Sequence, residues 1–401
     1  MIKQPPLLYT QAQRQLVSLA EPLGSETIPV EHAAGRCLNG NLTAKRSKPT
    51  ADLSSMDGYA LRDDDCDGPW RVVGKSAAGH PFERPIAKGE AVRISTGALM
   101  PDGAGAVLIQ ENAVRDGEKL SLCGEGEPTP RYIRRKGFDF QQGDHLLGRN
   151  TWLSPAHIAL ALSGGHASVI VGKRPSIAIL DCGDELVRCP EDASIHQLPA
   201  SNGPMLAAMA SPFCKEVTRI GPIADHLDDL VKAFDGASDC DVIVTSGGAS
   251  VGDHDLIRPA LEKWGASIDF WRVSMKPGKP MLVARKGAQI ILGLPGNPVS
   301  SYITAYLFML PLLRALAGDR QPWPVERSHP LSHALPAAGE RAEFLRAEIL
   351  GDRVSAFAEQ DSSALVSLSR ANGLIIRDGN AQPAHAGDIV SVFHLQNGGI
   401  A

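Results

Sequence analysis

Three short apolar runs, each cut off by glycine or proline, constrain this chain more tightly than any other feature. Between Asp239 and Leu316, Asp241-Val-Ile-Val-Thr245 leads into Ser246-Gly247-Gly248, Trp271-Arg-Val-Ser-Met275 into Lys276-Pro-Gly-Lys-Pro280, and Ile290-Ile-Leu-Gly-Leu294 into Pro295-Gly296-Asn297-Pro298. Apolar runs of this length with β-branched residues read as buried strands. In an open α/β sheet, ligands sit just past the carboxyl ends of the strands, where such loops gather. Glycines at 247, 248, 278 and 296 let backbone N–H groups approach an anion, and Lys276 and Lys279 add charge beside them. Asp253 and Asp255 are carboxylates of the kind that hold Mg²⁺ against a phosphate. One such loop alone reads as an ordinary turn, because Gly and Pro punctuate every α/β protein. Three in series, carrying two lysines and two aspartates, point to a binding site for a phosphorylated small molecule.

Charge then limits how such a site can work. The chain has 401 residues, more than one compact core accommodates, so two to four domains are expected. A formal net charge of −5 argues against a nucleic-acid or anionic-membrane binder, and an anionic substrate must be held by a local cationic cluster. Seven cysteines without C-x-x-C spacing fit reduced thiols, and Met1–Pro6 lacks the apolar core of a signal peptide. The most apolar helix, around Ile303–Leu313, is interrupted by Pro311 and Arg314 and is too short to span a bilayer. A cytoplasmic protein is expected.

In chain order, residues 10–20 read as an amphipathic helix with Ala12, Leu16, Leu19 and Ala20 on one face, and 27–42 as short strands. At Ser54-Ser55-Met56-Asp57-Gly58-Tyr59 a polar loop enters a strand. The Asp57 carboxylate there can point into a cleft or form a plain Asx-turn. From Ala60 to Gln142, runs such as Trp70–Val73, Ala91–Ile94, Ala106–Gln110 and Lys119–Leu122 predict an inserted β-rich module, with a turn at Thr96-Gly97. Its end, Arg131–Lys136, is the densest positive patch, either a solvated surface or an anion attractor. Ser154-Pro155 is a helix entry and Gly164-Gly165 its stop. Strand 176–180, helix 202–210, strand 216–220 and helix 226–234 then alternate into the opening stretch, which predicts a doubly wound parallel sheet with right-handed crossovers. Asp184, Glu185 and Asp225 fall at strand ends. Asn297-Pro298 caps a helix over 299–316, and after Gln321–Pro324 four strand-like runs predict a small β-barrel. P-loop, dinucleotide, zinc-protease and serine-hydrolase signatures are all missing.

Taken together, the motifs resemble, in order and along nearly the whole chain, those of the molybdopterin molybdenumtransferases (the bacterial MoeA proteins and the E-domain of gephyrin). The carriers are Ser55-Met-Asp-Gly-Tyr-Ala60, Thr96-Gly-Ala98, Arg135-Lys-Gly-Phe-Asp139 and Gly183-Asp-Glu-Leu186. Ser246–Gly248 with Ser250-Val-Gly-Asp253, Met275–Pro280, Gly293–Pro298, Glu343-Phe-Leu-Arg346 and Ala371-Asn-Gly373 follow. Asp181-Cys182 stands where a Ser-Thr pair is usual.

The resemblance implies an α/β multidomain protein. It would comprise a linker and dimerisation segment (1–45), an inserted β-rich module (46–140), a return segment (141–173), a molybdopterin-binding α/β domain (174–319) and a C-terminal β-barrel (320–401). It implies a transferase that joins molybdate to the dithiolene of adenylated molybdopterin, releasing AMP with Mg²⁺. Asp57, Thr96, Glu185, Lys276 and Lys279 would be catalytic. Arg135, Asp139, Ser246, Gly247, Gly248, Ser250, Pro295, Gly296, Asn297 and Pro298 would bind the substrates, and Glu185, Asp225 and Asp255 the metal. It further implies a homodimer with shared sites, with the pathway's adenylating enzyme and acceptor molybdoenzymes as candidate partners. Two other functions suit such a fold. A nucleotide pyrophosphatase or deamidase would not need the Met56–Ala60 module, and a non-catalytic scaffold would not need the lysine loop.

Overall fold

The computed structural model describes residues 6–124, 126–247 and 256–395. The chain divides into two compact units, one made of residues up to Glu26, Gly35–Asn39 and Val171 onward, the other of Thr27–Ala34 and Gly40–Ile170. The larger unit is built on a six-stranded sheet in the order Glu216–Ile223, Ser176–Cys182, Val242–Ser246, Gln289–Leu294, Leu282–Lys286, Ser267–Trp271. The first four strands are parallel, Leu282–Lys286 runs against them, and Ser267–Trp271, antiparallel to that strand, runs with the first four again. The strand Ser176–Cys182 is buried along its whole length, as the near-continuous apolar run requires. Ala178, Leu180, Ile243 and Ile291 pack on one face against Leu230, Phe234, Leu261 and Trp264 from the helices Leu227–Gly236 and Ile257–Trp264. The helices Asn202–Ala210 and Pro298–Leu316 are the remaining long helices of the sheet region, and they touch each other. Contrary to the expectation that it is too short, the apolar helix Pro298–Leu316 runs unbroken through Pro311 and is long enough to cross a membrane, but it is 89% buried inside the protein; it contains a π-helical turn at Ala305–Met309.

Two further expectations need correction. The sheet is mixed where a wholly parallel one was expected. The run Trp271–Met275 is not one strand: Arg272 adopts φ +83°, which breaks the ladder after Trp271. The chain then enters a different sheet as Val273–Lys276, pairing in parallel with both Leu7–Leu8 and Ala342–Leu350. A five-residue β-rich run carries no signal for such a change of sheet. The helix Ile257–Trp264, ended by Gly265 at φ +88°, was likewise not anticipated.

The terminal sheet has seven strands in the order Leu7–Leu8, Val273–Lys276, Ala342–Leu350, Gly373–Arg377, Ile389–His394, Glu326–Pro330, with Arg353–Ala356 beside Ala342–Leu350. It therefore draws two strands from outside residues 320–401. A bridge between Leu331 and Val354, with Ser332 N donating to Val354 O at 2.8 Å, links the Glu326–Pro330 end back to Arg353–Ala356. Leu331, Ala347, Val354, Ile375 and Val392 are buried together there.

The smaller unit holds another six-stranded sheet, ordered Ala106–Ile109, Gly58–Leu61, Glu90–Ile94, Trp70–Ser76, Lys119–Leu122, Ala113–Asp116. Alternation along Gly58–Leu61 sends Tyr59 and Leu61 to one cluster with Trp70 and Leu120, and Ala60 to another with Val92 and Ile94. Gly58 permits the close pairing with Ala106–Ile109: a Cβ there would stand 2.1 Å from Leu108 O. The helix Pro155–Ser163 opens with a capping box between Ser154 and His157, as the Ser-Pro entry predicts.

Glu90, at the start of an interior strand, ties one end of that sheet. It accepts from Arg84 Nη1 at 2.8 Å, Ala87 N at 3.1 Å and Arg71 Nη2 at 3.3 Å. The Arg84 hydrogen bond, followed by the Ala87 amide, lowers its pKa from 4.5 to about 2. A depressed carboxylate contributes stability that is complete above its unfolded pKa and lost as pH falls through the folded one. The gap in urea midpoint between wild type and Glu90→Gln is therefore expected to be positive at pH 7 and to close toward pH 2. A gap independent of pH would refute this assignment.

Candidate active site

The parallel strands of the larger unit end side by side, and their loops enclose a hollow of about 320 Å³. After Ser176–Cys182 comes Gly183-Asp184-Glu185, after Val242–Ser246 comes Gly247, and after Gln289–Leu294 come Pro295, Gly296 and Asn297. Glu185, Asp225, Gly247, Pro295, Gly296 and Asn297 all line the hollow, as do Pro280 and Ser300. The loops are fastened by backbone and side-chain bonds. Gly183 N donates to Ile223 O at 3.0 Å, and Asp225 N donates to Asp184 Oδ1 at 3.0 Å. Gly247 has φ +92°, and a Cβ there would lie 2.3 Å from Cys182 O, so only glycine fits. Cys182 also faces the hollow. Burial, reinforced by Asp181 and Asp225, pushes its thiol above the ordinary range, so it stays protonated and is no nucleophile.

A second hollow, about 560 Å³, adjoins the first and shares Pro280 and Ser300 with it. Its walls carry three cations, Lys276, Lys279 and Arg341, opposed by Glu359 and Asp361. Lys276 Nζ lies 3.4 Å from Glu343 Oε1 with its side chain 55% exposed, a pair worth under about 1 kcal/mol and easily redirected to a bound anion. Lys279 is exposed and makes no ion pair or side-chain hydrogen bond with a described residue. Arg341 is steadied by donating to Met275 O at 3.2 Å. The lysines share one tight loop because Gly278 takes φ +105° and lies against the Thr304 side chain.

The far wall is the loop 357–364, and a buried arginine holds it. Arg346 is 1% exposed and donates to Ala364 O at 2.9 Å and Glu359 O at 3.1 Å. Gln360 answers by accepting from Arg346 N at 3.0 Å and donating to Arg346 O at 2.9 Å. From the first hollow, Asn297 Nδ2 donates to Ser362 Oγ at 2.8 Å, and Val299 N to Ser362 O at 3.1 Å, joining the two walls.

Not every predicted residue falls here. Asp57 and Thr96 lie in the smaller unit and meet, Thr96 N donating to Asp57 Oδ1 at 2.7 Å. Arg135 and Asp139 also belong to that unit, and each has its own partner: Arg135 Nη1 donates to Asp52 Oδ2 at 2.7 Å, and Asp139 pairs with Lys48 at 3.3 Å. Ser246 is buried, its hydroxyl accepting from Asn202 Nδ2 at 2.8 Å, and Pro298 opens the helix beyond Asn297. Gly248, Ser250, Asp253 and Asp255 lie outside the described residues. Sequence reasoning missed Asn202, Ser300, Arg341 and Ser362. Arg341 lies two residues before the Glu343–Arg346 motif, and Asn202 opens a helix, but neither carries a local pattern that marks a site.

Replacing Arg346 by Met leaves the Ala364 and Glu359 carbonyls without their donor. Arg346→Met is expected to cost on the order of 3 kcal/mol. It should also open the loop 357–364 to protease. Unchanged urea unfolding with an intact loop would refute the role.

Comparison with known proteins gives the family. Residues 7–165 match the MoeA N-terminal region (domain I and II), 178–315 a probable molybdopterin binding domain, and 329–395 the MoeA C-terminal region (domain IV). The chain is 34% identical over 311 residues to the molybdopterin molybdenumtransferase of Haemophilus influenzae, covering 77% of each chain. It is 30% identical over 409 residues to that of Bacillus subtilis, covering 98% of this chain and 95% of the relative. The structure of the molybdopterin biosynthesis MoeA protein of Pyrococcus horikoshii superposes with a TM-score of 0.78 at 25% identity, over 98% of this chain and 100% of that one. The chain therefore belongs to the molybdopterin molybdenumtransferase (MoeA) family, transferases of molybdenum cofactor biosynthesis.

Proposed function

We propose that this protein joins molybdate to the dithiolene of adenylated molybdopterin and releases AMP in a Mg²⁺-dependent step. One observation carries the reading: two hollows of opposite chemical character meet at Pro280 and Ser300. Molybdate, a compact dianion, loses hydration on binding and needs fixed positive partners. Lys276, Lys279 and Arg341 supply these, and Ser362 adds a hydroxyl. The adenylated substrate takes the neighbouring hollow, where Gly247 and Gly296 let the backbone come close to its phosphates. Holding both reactants across one shared wall replaces a bimolecular encounter with a positioned one.

The acidic residues fit Mg²⁺. Glu185 and Asp225 present hard oxygen ligands to the same hollow, while no cluster of three or more ligating side chains occurs among the described residues. Two carboxylates completed by water and phosphate oxygens are what Mg²⁺ prefers. When bound there, the ion would offset phosphate charge. Asp255 would be a further ligand. Ser246, Gly248 and Ser250 would extend the phosphate-binding loop, and Arg135 and Asp139 would be further substrate-binding residues. Asp57, its carboxylate set by the Thr96 amide, would serve the cleft of a second copy, so that the protein works as a homodimer.

The test is AMP release from adenylated molybdopterin with molybdate and Mg²⁺. Lys279→Gln is expected to weaken molybdate capture at least tenfold, the loss of one charged contact, with the rate recovered at high molybdate. Asp57→Ala should fold and fail at low molybdate. Wild-type protein that releases no AMP, or Lys279→Gln with unchanged molybdate dependence, would overturn the reading.

A further inference from the structure

Asn202 lies just behind the glycine-lined hollow and ties two of its loops together. Its Nδ2 donates to Ser246 Oγ at 2.8 Å and to Gly296 O at 2.7 Å. The Gly296 carbonyl can only accept, so the NH₂ end of the amide must face it, and both its hydrogens are engaged. Neither aspartate nor alanine reproduces such a two-pronged donor.

The Gly296 contact has a geometric consequence. The Gly296–Asn297 peptide is trans, so its carbonyl and its N–H project from opposite edges of one plane. With the carbonyl turned to Asn202, the Asn297 N–H points away from Asn202. This N–H has no acceptor among the described residues, and both Gly296 and Asn297 are exposed on the wall of the hollow. The side chain of Asn297 is held from the other direction by Ser362 Oγ at 2.8 Å. The peptide is thus clamped on both sides, with one donor left over.

The helix that Asn202 opens starts against a buried carboxylate, that of Asp181. Asp181, 2% exposed, sits opposite Ser246 in the parallel ladder, and its Oδ2 occupies the space that a Cβ at Gly203 would need, 2.0 Å away. Arg219 Nη2 donates to the same oxygen at 3.4 Å. The helix Asn202–Ala210 has no acidic residue in its first turn, and Ser201 makes no side-chain cap, so Asp181 supplies the negative group at that end.

We infer that Asn202 is a positioning residue for the transfer reaction, turning the Gly296–Asn297 peptide so that the Asn297 N–H is presented to the phosphate of the nucleotide-bearing substrate. This rests on the reading of that hollow as the nucleotide end. The experiment titrates AMP with Mg²⁺, and separately molybdate, into full-length wild type, Asn202→Ala and Asn202→Asp by calorimetry, alongside steady-state kinetics. Both variants are expected to lose at least tenfold in AMP affinity, Asn202→Asp more, because its carboxylate faces the Gly296 carbonyl. KM for the adenylated substrate should rise by a similar factor, while the KM for molybdate and the melting temperature stay near wild type. A merely structural role would move both KM values and the melting temperature together, and that outcome overturns the inference. Wild type binding AMP with Asn202→Ala unchanged overturns the inference alone. Wild type taking no AMP overturns the reading of the hollow and this inference with it.

Discussion

The register of four parallel strands carries the cleft. Ser246 lies opposite Asp181 on one neighbour and opposite Leu294 on the other, so the loops after all three strands leave the sheet at one level. Had any of these ladders slipped by a residue, its inward and outward side chains would have exchanged faces. Gly247 would then no longer lie against Cys182, and Asn202 would no longer span Ser246 and Gly296. The packing of Ala178, Leu180, Ile243 and Ile291 under two helices holds that register. Core burial is thus what keeps polar loops aligned at a distance from it.

Electrostatics is handled by concentrating charge, since the chain is acidic overall. Three cations meet in one hollow, and the carboxylates Glu185 and Asp225 are set apart in the next. Two of the cations are weakly engaged, which leaves their charge available to an anion. The strongly engaged cation is Arg346, which never faces the hollow. Burial pulls its guanidinium below the usual value against the pull of Glu359 and Asp361, and its hydrogen bonds set the wall on which Ser362 stands. The charge that fastens the loop and the charge that lines the hollow are therefore carried by different residues.

Asp181 shows how a buried carboxylate is accommodated beside the cleft. A buried carboxylate costs free energy unless partnered. Here Arg219 and the start of the helix Asn202–Ala210 surround one of its oxygens, while Oδ1 has no partner among the described residues. The carboxylate lies beneath the first turn of that helix and so links the strand to the cleft.

Local chemistry made much of this protein legible from sequence alone. The strand runs at 176–180, 241–245 and 290–294, the Ser154-Pro155 helix entry and the glycine loops at 183, 247 and 296 all act within a few residues, where steric and hydrogen-bond rules are local. The ordered motifs also pointed to the family. Tertiary structure alone decided which loops meet. The turn at Arg272 moved the lysine-bearing strand into a second sheet, and Arg341, Ser362 and Asn202 reached the cleft from segments 44 to 94 positions from their partners in it. Such contacts depend on strand order and register, which are set by the burial of the whole core and leave no trace in the spacing of nearby residues.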